Sequence, residues 1–236
     1  MRLAIMQPYF LPYIGYFSLI KHVDMFVLLD PVQFIYQGWI ARNRILKPSE
    51  GWQYFRVPLL KHHSNTLIRD IRINNELHWQ KKIIDQLQHY TKLAPYFPKV
   101  IALLTEAFSQ EFEGVVDLNK VTLEAVCNYL RIRTPIAVFS DWRLVIEPVY
   151  APDEWALNIC RAMTGVTEYW NPPGGIGFFD RSKYEANRIQ LKFQKARLGE
   201  YYQGRVTFEP SLSIIDVMMF NSVEQINGML DDYELL

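Results

Sequence analysis

Two polar residues follow one of the first apolar runs of the chain, in a position where they could bind or act on a substrate. Asp30 and Gln33 come directly after Met25–Leu29. Polar groups just beyond the carboxyl end of a parallel strand lie where α/β folds bind their ligands. We predict that Asp30 accepts a proton during catalysis and that Gln33 binds the substrate. An ordinary Asp-Pro turn is the alternative explanation, because Pro31 follows Asp30.

The segment WIARNRI places two arginines one residue apart. In a strand, Arg42 and Arg44 would lie on one face and Asn43 on the other. Two guanidinium groups on one face can clamp a carboxylate or a phosphate. A solvated sheet edge that discourages aggregation is the alternative. We predict that Trp39, Arg42, Asn43 and Arg44 contribute to substrate binding.

The stretch QPYFLPYIGYFSLI, residues 7–20, carries more proline and aromatic residues than a plain connection needs. A glycine just before a helix lets a ligand approach the backbone, and the free N–H groups of the helix favour an anion. We therefore predict that Gln7, Tyr9, Gly15 and Tyr16 bind substrate, and that Tyr13 lines a small polar pocket with Tyr9 and Tyr16. A tight turn with aromatic side chains filling the core is the alternative. Before Ser18 the stretch has no His, Lys or Ser, so it would bind without catalysing.

Two further candidates come later in the chain. His62 follows an apolar segment, and an imidazole titrates near working pH, so we predict His62 as a second catalytic residue. A surface histidine is the alternative. Gly174 and Gly175, within PPGGIG, are predicted to belong to a substrate loop, although an ordinary turn explains them equally well. No metal site is predicted, because the chain has no HExxH motif and no Cys/His cluster.

Composition excludes several classes of protein. The 25 basic and 25 acidic residues cancel, so no overall basic field would attract nucleic acid. Cys127 and Cys160 are far apart, which favours a reducing compartment over a disulfide framework. No apolar run reaches the ~20 residues of a membrane span, and the first residues do not form a signal peptide. We expect a cytoplasmic protein with no nucleic-acid partner and no membrane span.

The hydrophobic pattern predicts an α/β domain. The order and length of the first segments are those of a βαβ unit with parallel strands: an apolar strand at 2–6, a helix-like segment at 16–22 and an apolar strand at 25–29. A hairpin follows, then a mainly helical segment at about 76–131, and later strand and helix patterns to the end. We predict one domain over residues 1–236, a parallel sheet with a helical insertion. A homodimer is left open.

Several motifs resemble the WbqC-like family over nearly the whole chain. They are AIMQPYFLPYIGYFSLI, DPVQF, WIARNRI, PPGG, YYQG and FEPSLSIID. Members of that family are typically found among bacterial surface-polysaccharide genes. The resemblance implies an acyl or aminoacyl transferase, glycine being one candidate group, that acts in O-antigen assembly. Its substrate would be a small molecule, either a sugar nucleotide or an activated amino acid.

The N-terminal part is also similar to pantothenate synthetase and related nucleotidylyltransferase-like enzymes. This similarity implies a Rossmann-like sheet and activation of a carboxylate with ATP and Mg²⁺ as cofactors. The loop YIGYF, residues 13–17, has no histidine where those enzymes have one. This departure supports the alternative function, a non-catalytic module that binds a sugar nucleotide or a carrier protein.

Overall fold

A six-stranded sheet forms the centre of the computed structural model, which describes residues 1–142 and 144–236. The described residues form eight strands, of which β3 and β4 make up a separate two-stranded sheet. They are β1 (Arg2–Met6), β2 (Met25–Leu28), β3 (Arg42–Leu46), β4 (Trp52–Arg56), β5 (Ile136–Val138), β6 (Glu168–Asn171), β7 (Gln190–Ala196) and β8 (Tyr233–Leu235). The α helices are α1 (Ile14–His22), α2 (Trp79–Gln86), α3 (Phe97–Ala107), α4 (Val115–Tyr129), α5 (Glu154–Ala162), α6 (Arg181–Ala186), α7 (Ile214–Phe220) and α8 (Val223–Asp231).

The strand order in the large sheet is β5-β2-β1-β6-β7-β8. The first five strands are parallel, and β8 runs antiparallel to β7 at one edge. The chain continues from β1 to β2 on one side, whereas β6 pairs with β1 on the other. The order therefore reverses at β1, which makes its carboxyl end a topological switch point. This arrangement confirms the predicted Rossmann-like α/β fold.

Both faces of the sheet are covered, as the continuous apolar strands predict. Ala4 and Phe26 belong to a core that includes residues of α1, α4, α7 and α8. Leu3 and Val27, one residue away along the same strands, belong to a second core with α5 and Tyr184 of α6. Alternate residues of a strand point to opposite faces, so one short apolar run supplies both cores. Within the described residues, none of the helices combines the length and apolar character needed to cross a bilayer.

Some strands and helices of the structure are not predicted from the sequence pattern. The strands β6 and β8 and the helix α6 are not predicted, and α1 begins at Ile14, two residues before the predicted start. Both strands are short, and β6 is held between β1 and β7, which lie far from it in sequence. Strand character of this kind comes from pairing rather than from local pattern. The hairpin of β3 and β4 is present and antiparallel.

Buried side chains from distant segments bind the backbone of the loop between β1 and α1. The Tyr16 hydroxyl donates a hydrogen bond of 2.8 Å to the carbonyl of Gln7. The amide of Asn119, on α4, donates to the carbonyls of Pro8 at 2.7 Å and Ile40 at 2.9 Å. A buried carbonyl without a partner is costly, so these bonds satisfy the loop as well as fix it.

The second half of the loop is held in the same way. Asn43 Nδ2 donates to the carbonyls of Phe10 and Leu11, both at 3.1 Å, and Ser213 Oγ donates to Leu11 at 2.6 Å. Leu11 has a φ of +42°, a left-handed backbone conformation that a leucine adopts only when its surroundings impose it. Asn43 and Asn119 therefore fix the loop from β3 and from α4.

A second buried network connects the helical segment with α7. Asp216 is fully buried and accepts hydrogen bonds from Tyr90 and Tyr201, both at 2.6 Å, and from Gln203 at 3.0 Å. Tyr90 also accepts a bond from the backbone N–H of Leu46, at the end of β3. Burial outweighs the three donors and raises the pKa of the Asp216 carboxyl to about 6.

We expect Asn43→Leu to destabilise the protein by roughly 2–4 kcal/mol, because the buried carbonyl of Phe10 loses its donor and that of Leu11 loses one of two. Leucine keeps much of the volume, so the loss would come from the hydrogen bonds. Urea unfolding measures the change. The control is Asn187→Ala, an exposed asparagine whose loss should stay within about 0.5 kcal/mol. Equal effects of the two variants would contradict a special role for Asn43.

The raised pKa of Asp216 predicts a distinctive pH dependence. Between the unfolded pKa of about 4 and the folded pKa of about 6, only the folded state keeps the proton. This contribution to the free energy of unfolding is therefore complete below about pH 4 and is lost as the pH rises through about 6. The loss amounts to at most about 3 kcal/mol.

Asp216→Asn removes the titrating group, so it isolates this contribution. Urea unfolding of the wild type and Asp216→Asn at several pH values between about 4 and 7 gives the difference in their free energies of unfolding. We expect the wild type to lose stability relative to the variant as the pH rises. A difference that does not change with pH would show that Asp216 ionises normally in the folded state.

Candidate functional site

A cleft of about 1050 Å³ opens at the carboxyl ends of β1, β2 and β6. Met6 and Asn171 are the last residues of β1 and β6, Leu29 directly follows β2, and all three line the cleft. This is the topological switch point, where open α/β sheets bind their ligands. A smaller depression of about 570 Å³ lies between α6, β7 and the last residues of the chain. We take the cleft as the candidate site because of its place in the fold.

The cleft brings together most of the residues that the sequence predicts to bind substrate. They come from the β1–α1 loop, from the segment after β2, from β3 and from the loop after β6. They are Gln7, Tyr9, Gln33, Trp39, Asn43, Arg44, Gly174 and Gly175. Segments that are far apart in sequence thus meet at one edge of the sheet.

Gly15 and Tyr16 lie behind the wall of the cleft. A Cβ on Gly15 would be 2.4 Å from Cε2 of Tyr13, so the glycine makes room for that ring. Tyr16 is buried and donates its hydroxyl to the Gln7 carbonyl. These two residues shape the wall that Tyr9 and Tyr13 present to the cleft. A role in holding an anion at Gly15 stays a prediction.

Arg42 lies on the β3–β4 hairpin but outside the cleft. Its guanidinium stacks on the Tyr54 ring at 4.2 Å from the centroid. It also donates to the carbonyls of Gln37 and Gly38, in the turn before β3. Arg42 and Arg44 are both half-buried while Asn43 between them is buried, which is the alternation expected of a strand.

Neither of the two residues predicted to be catalytic lines the cleft. Asp30 is 1% exposed, and its carboxylate accepts hydrogen bonds from the backbone N–H and the hydroxyl of Ser140. His62 is bonded through Nδ1 to the Leu60 carbonyl at 2.9 Å, and its ring lies edge-on to Phe34. Through its bonds to Ser140, Asp30 connects the end of β2 with the segment after β5. The catalytic roles of both residues stay predictions.

Arg44 carries the positive charge of the cleft. Its guanidinium is 5.5 Å from the Trp39 ring centroid and 5.0 Å from that of Trp52. Nη2 donates to the carbonyl of Ser211 at 3.0 Å, and Nε has no hydrogen-bond partner among the described residues. Ser211 itself has a φ of +56°, a strained conformation for a residue other than glycine. The aromatic rings hold the guanidinium in place, and its Nη1 donors, which bond no described residue, stay available for a ligand.

Tyr9 and Tyr13 supply hydroxyl groups to the cleft. Burial raises the pKa of both phenols, and for Tyr9 the nearby Tyr13 adds to the effect. Both hydroxyls are therefore protonated at neutral pH and able to donate a hydrogen bond. Tyr9 and Tyr13 both line the cleft, whereas Tyr16 lies behind them.

The loop after β6 needs its second glycine for packing. A Cβ on Gly175 would be 2.3 Å from Nδ2 of Asn171 and 2.7 Å from Cε2 of Phe179. Asn171 accepts a bond of 3.1 Å from the Tyr169 hydroxyl and donates one of 3.0 Å to the Pro172 carbonyl. Asn171 is a further residue that the sequence does not reveal, because β6, which ends at Asn171, is not predicted.

Arg44 is the only charged residue in the described lining of the cleft. Among the described residues that line the cleft, none is Asp, Glu, His, Lys or Cys. The lining instead offers phenol hydroxyls, carboxamides, aromatic faces and the guanidinium of Arg44. This mixture suits a small ligand with hydroxyl groups and an anionic part. Among the described residues, no group of three or more His, Cys, Asp or Glu side chains could hold a metal ion.

Comparisons with known proteins identify the family. The model of the WbqC-like protein family matches residues 7–228. The uncharacterized protein Rv1507c of Mycobacterium tuberculosis is 30% identical over 223 residues, which cover 93% of each chain. No solved structure matches the chain. The family match spans almost the entire sequence and includes the loops that form the cleft. The chain therefore belongs to the WbqC-like protein family.

Proposed function

We propose that the protein is a group-transfer enzyme that moves an acyl or aminoacyl group, glycine being one candidate, onto an amino sugar during bacterial surface-polysaccharide assembly. The reaction class and the pathway come from what the sequence motifs imply about the family. The observation that carries the proposal is the cleft at the switch point, where one aromatic-braced arginine stands among neutral hydrogen-bonding groups. Such a site favours a ligand with one anionic part and several hydroxyls.

Each group of the cleft has a role in this reaction. Arg44 binds the anionic part of the amino-sugar acceptor, and the amides of Gln7 and Gln33 position its sugar. The hydroxyls of Tyr9 and Tyr13 donate hydrogen bonds to the acyl oxygen, where negative charge develops as the amine attacks. A new C–N bond forms, and the bond between the acyl carbon and the leaving group breaks. The leaving group takes the electron pair and then the amine proton.

The lining also restricts the donor. Because no carboxylate or imidazole is present among the described lining residues, little help in removing the amine proton comes from the protein. The donor must therefore already carry a good leaving group. An activated amino acid, such as a thioester or an adenylate, meets this requirement.

A variant of the proposal has the enzyme make the adenylate itself from ATP, Mg²⁺ and an amino acid. Mg²⁺ sites commonly use one or two carboxylates together with substrate phosphates. The described cleft lining offers no carboxylate, so the phosphates of ATP would have to hold the ion. Incubation with ATP, Mg²⁺ and glycine, followed by assay of AMP and pyrophosphate, tests this variant. Formation of neither product across a panel of amino acids would remove it.

The second candidate function is a non-catalytic module that binds a sugar nucleotide or a carrier protein. The observation that favours it is the same lack of acid and base side chains in the described lining. It predicts tight binding of a ligand that is never converted. Glycyl thioester, or glycine with ATP and Mg²⁺, is to be incubated with a uridine diphosphate-linked amino sugar. Mass spectrometry then detects any acylated sugar.

Arg44→Ala is expected to lower kcat/KM in this assay by roughly 10²- to 10³-fold, because the sugar-nucleotide acceptor loses its main electrostatic contact in the cleft. Arg133→Ala is the matched control, an exposed arginine just before β5, near the opposite end of the strands, and should leave kcat/KM unchanged. Binding of the sugar nucleotide without any turnover by the wild type would favour the binding module. Equal activity of Arg44→Ala and the wild type would contradict the assigned role of Arg44.

A further inference from the structure

One face of the β3–β4 hairpin carries three arginines interleaved with aromatic rings. We call Arg42, Arg44, Arg56, Trp52 and Tyr54 the arginine ladder. Arg42 and Arg56 lie 4.2 Å and 5.9 Å from the Tyr54 ring centroid, and Arg44 lies 5.0 Å from that of Trp52. Trp52 and Tyr54 pack edge to face with centroids 5.0 Å apart. The ladder is therefore a continuous cationic and aromatic surface.

The charge of the ladder is not neutralised within the described part of the chain. Arg2, Arg161 and Arg197 pair with carboxylates elsewhere on the surface. No carboxylate of a described residue lies within 4 Å of the guanidinium nitrogens of Arg42, Arg44 or Arg56. Packing three like charges side by side costs free energy that an anionic ligand would recover.

The spacing of the three arginines along the hairpin would let their side chains reach neighbouring phosphates. Arg42 and Arg56 are cross-strand partners, so their Cβ atoms are about 5 Å apart. Arg44 is two residues along β3 from Arg42, at roughly 7 Å, and lies diagonally from Arg56 at about 7–8 Å. Long side chains can converge over such distances. Stacking on aromatic rings lowers the entropy that the arginines would lose on binding.

The ladder is continuous with the cleft through Arg44. Arg44 belongs to the ladder and also lines the cleft, and Trp39 beside it is 37% exposed. A ligand with a sugar in the cleft would therefore extend an attached group directly over the hairpin.

We propose that the arginine ladder is the binding subsite for the diphosphate of a nucleoside diphosphate-linked sugar, whose sugar lies in the cleft. This inference rests on the proposed function and names the substrate class within it. The two phosphates lie over Arg44, Arg42 and Arg56, and the base stacks on an exposed guanidinium or on Trp39. Single-stranded RNA would use the same chemistry, but the zero net charge of the chain makes it the weaker choice.

Isothermal titration with uridine diphosphate, its N-acetylglucosamine conjugate, free N-acetylglucosamine and a short RNA tests the subsite. Arg56→Ala is the main variant, because Arg56 is exposed and its side chain makes no hydrogen bond to the described chain, so folding should be unaffected. We expect roughly tenfold weaker binding of both diphosphates and no change for the free sugar. Arg56→Lys should recover part of the loss, and Arg133→Ala should bind like the wild type.

The subsite would be overturned by unchanged diphosphate binding in Arg56→Ala, by an equal loss in Arg133→Ala, or by RNA binding more tightly than uridine diphosphate. Binding and turnover together distinguish a failure of the subsite from a failure of the proposed group transfer. Diphosphate binding that depends on Arg56 without any turnover supports the subsite and rejects the transferase. Turnover that is equally fast in Arg56→Ala supports the transferase and rejects the subsite.

Discussion

Hydrogen bonds from buried side chains to the backbone of residues 7–12 are the constraint on which the site depends. Asn43, Asn119 and Ser213 come from β3, α4 and the start of α7, and each donates to a carbonyl of this loop. Without these donors the loop would have to turn outward to reach water, because buried carbonyls need partners. The same contacts assemble β3 and the helical segment around the end of β1, so the cleft and the fold share one set of bonds.

Two loops form the walls of the cleft, and its positive charge comes from one side. The β1–α1 loop and the loop after β6 form walls from aromatic rings and glycines, with Gly15 and Gly175 leaving space for the Tyr13 and Phe179 rings. The cation comes only from the β3–β4 hairpin within the described lining. A rigid neutral pocket beside a charged surface separates recognition of hydroxyl groups from recognition of an anion. This division is the physical basis for placing a sugar in the one and phosphates on the other.

The side chain of Asp30 takes a direction that depends on a tertiary contact. A carboxylate after a buried parallel strand is well placed for catalysis, yet here it bonds to Ser140 across the end of the neighbouring strand β5. The residue is 1% exposed, so its carboxylate links two segments behind the cleft. The sequence identified the correct edge of the sheet. The direction of one side chain at that edge depended on a partner 110 residues away.

The α/β class, the βαβ start, the hairpin, the family and eight of the residues that line the cleft are all predictable from the sequence. These features follow from apolar runs, from proline and glycine positions and from motifs that are local. Three features emerge only from the folded chain: β6 and β8 are strands, Asn171 lines the cleft, and Arg42 and Arg56 stand together across the hairpin. The reason is physical: pairing between distant strands and burial of polar groups are set by contacts that no local pattern encodes.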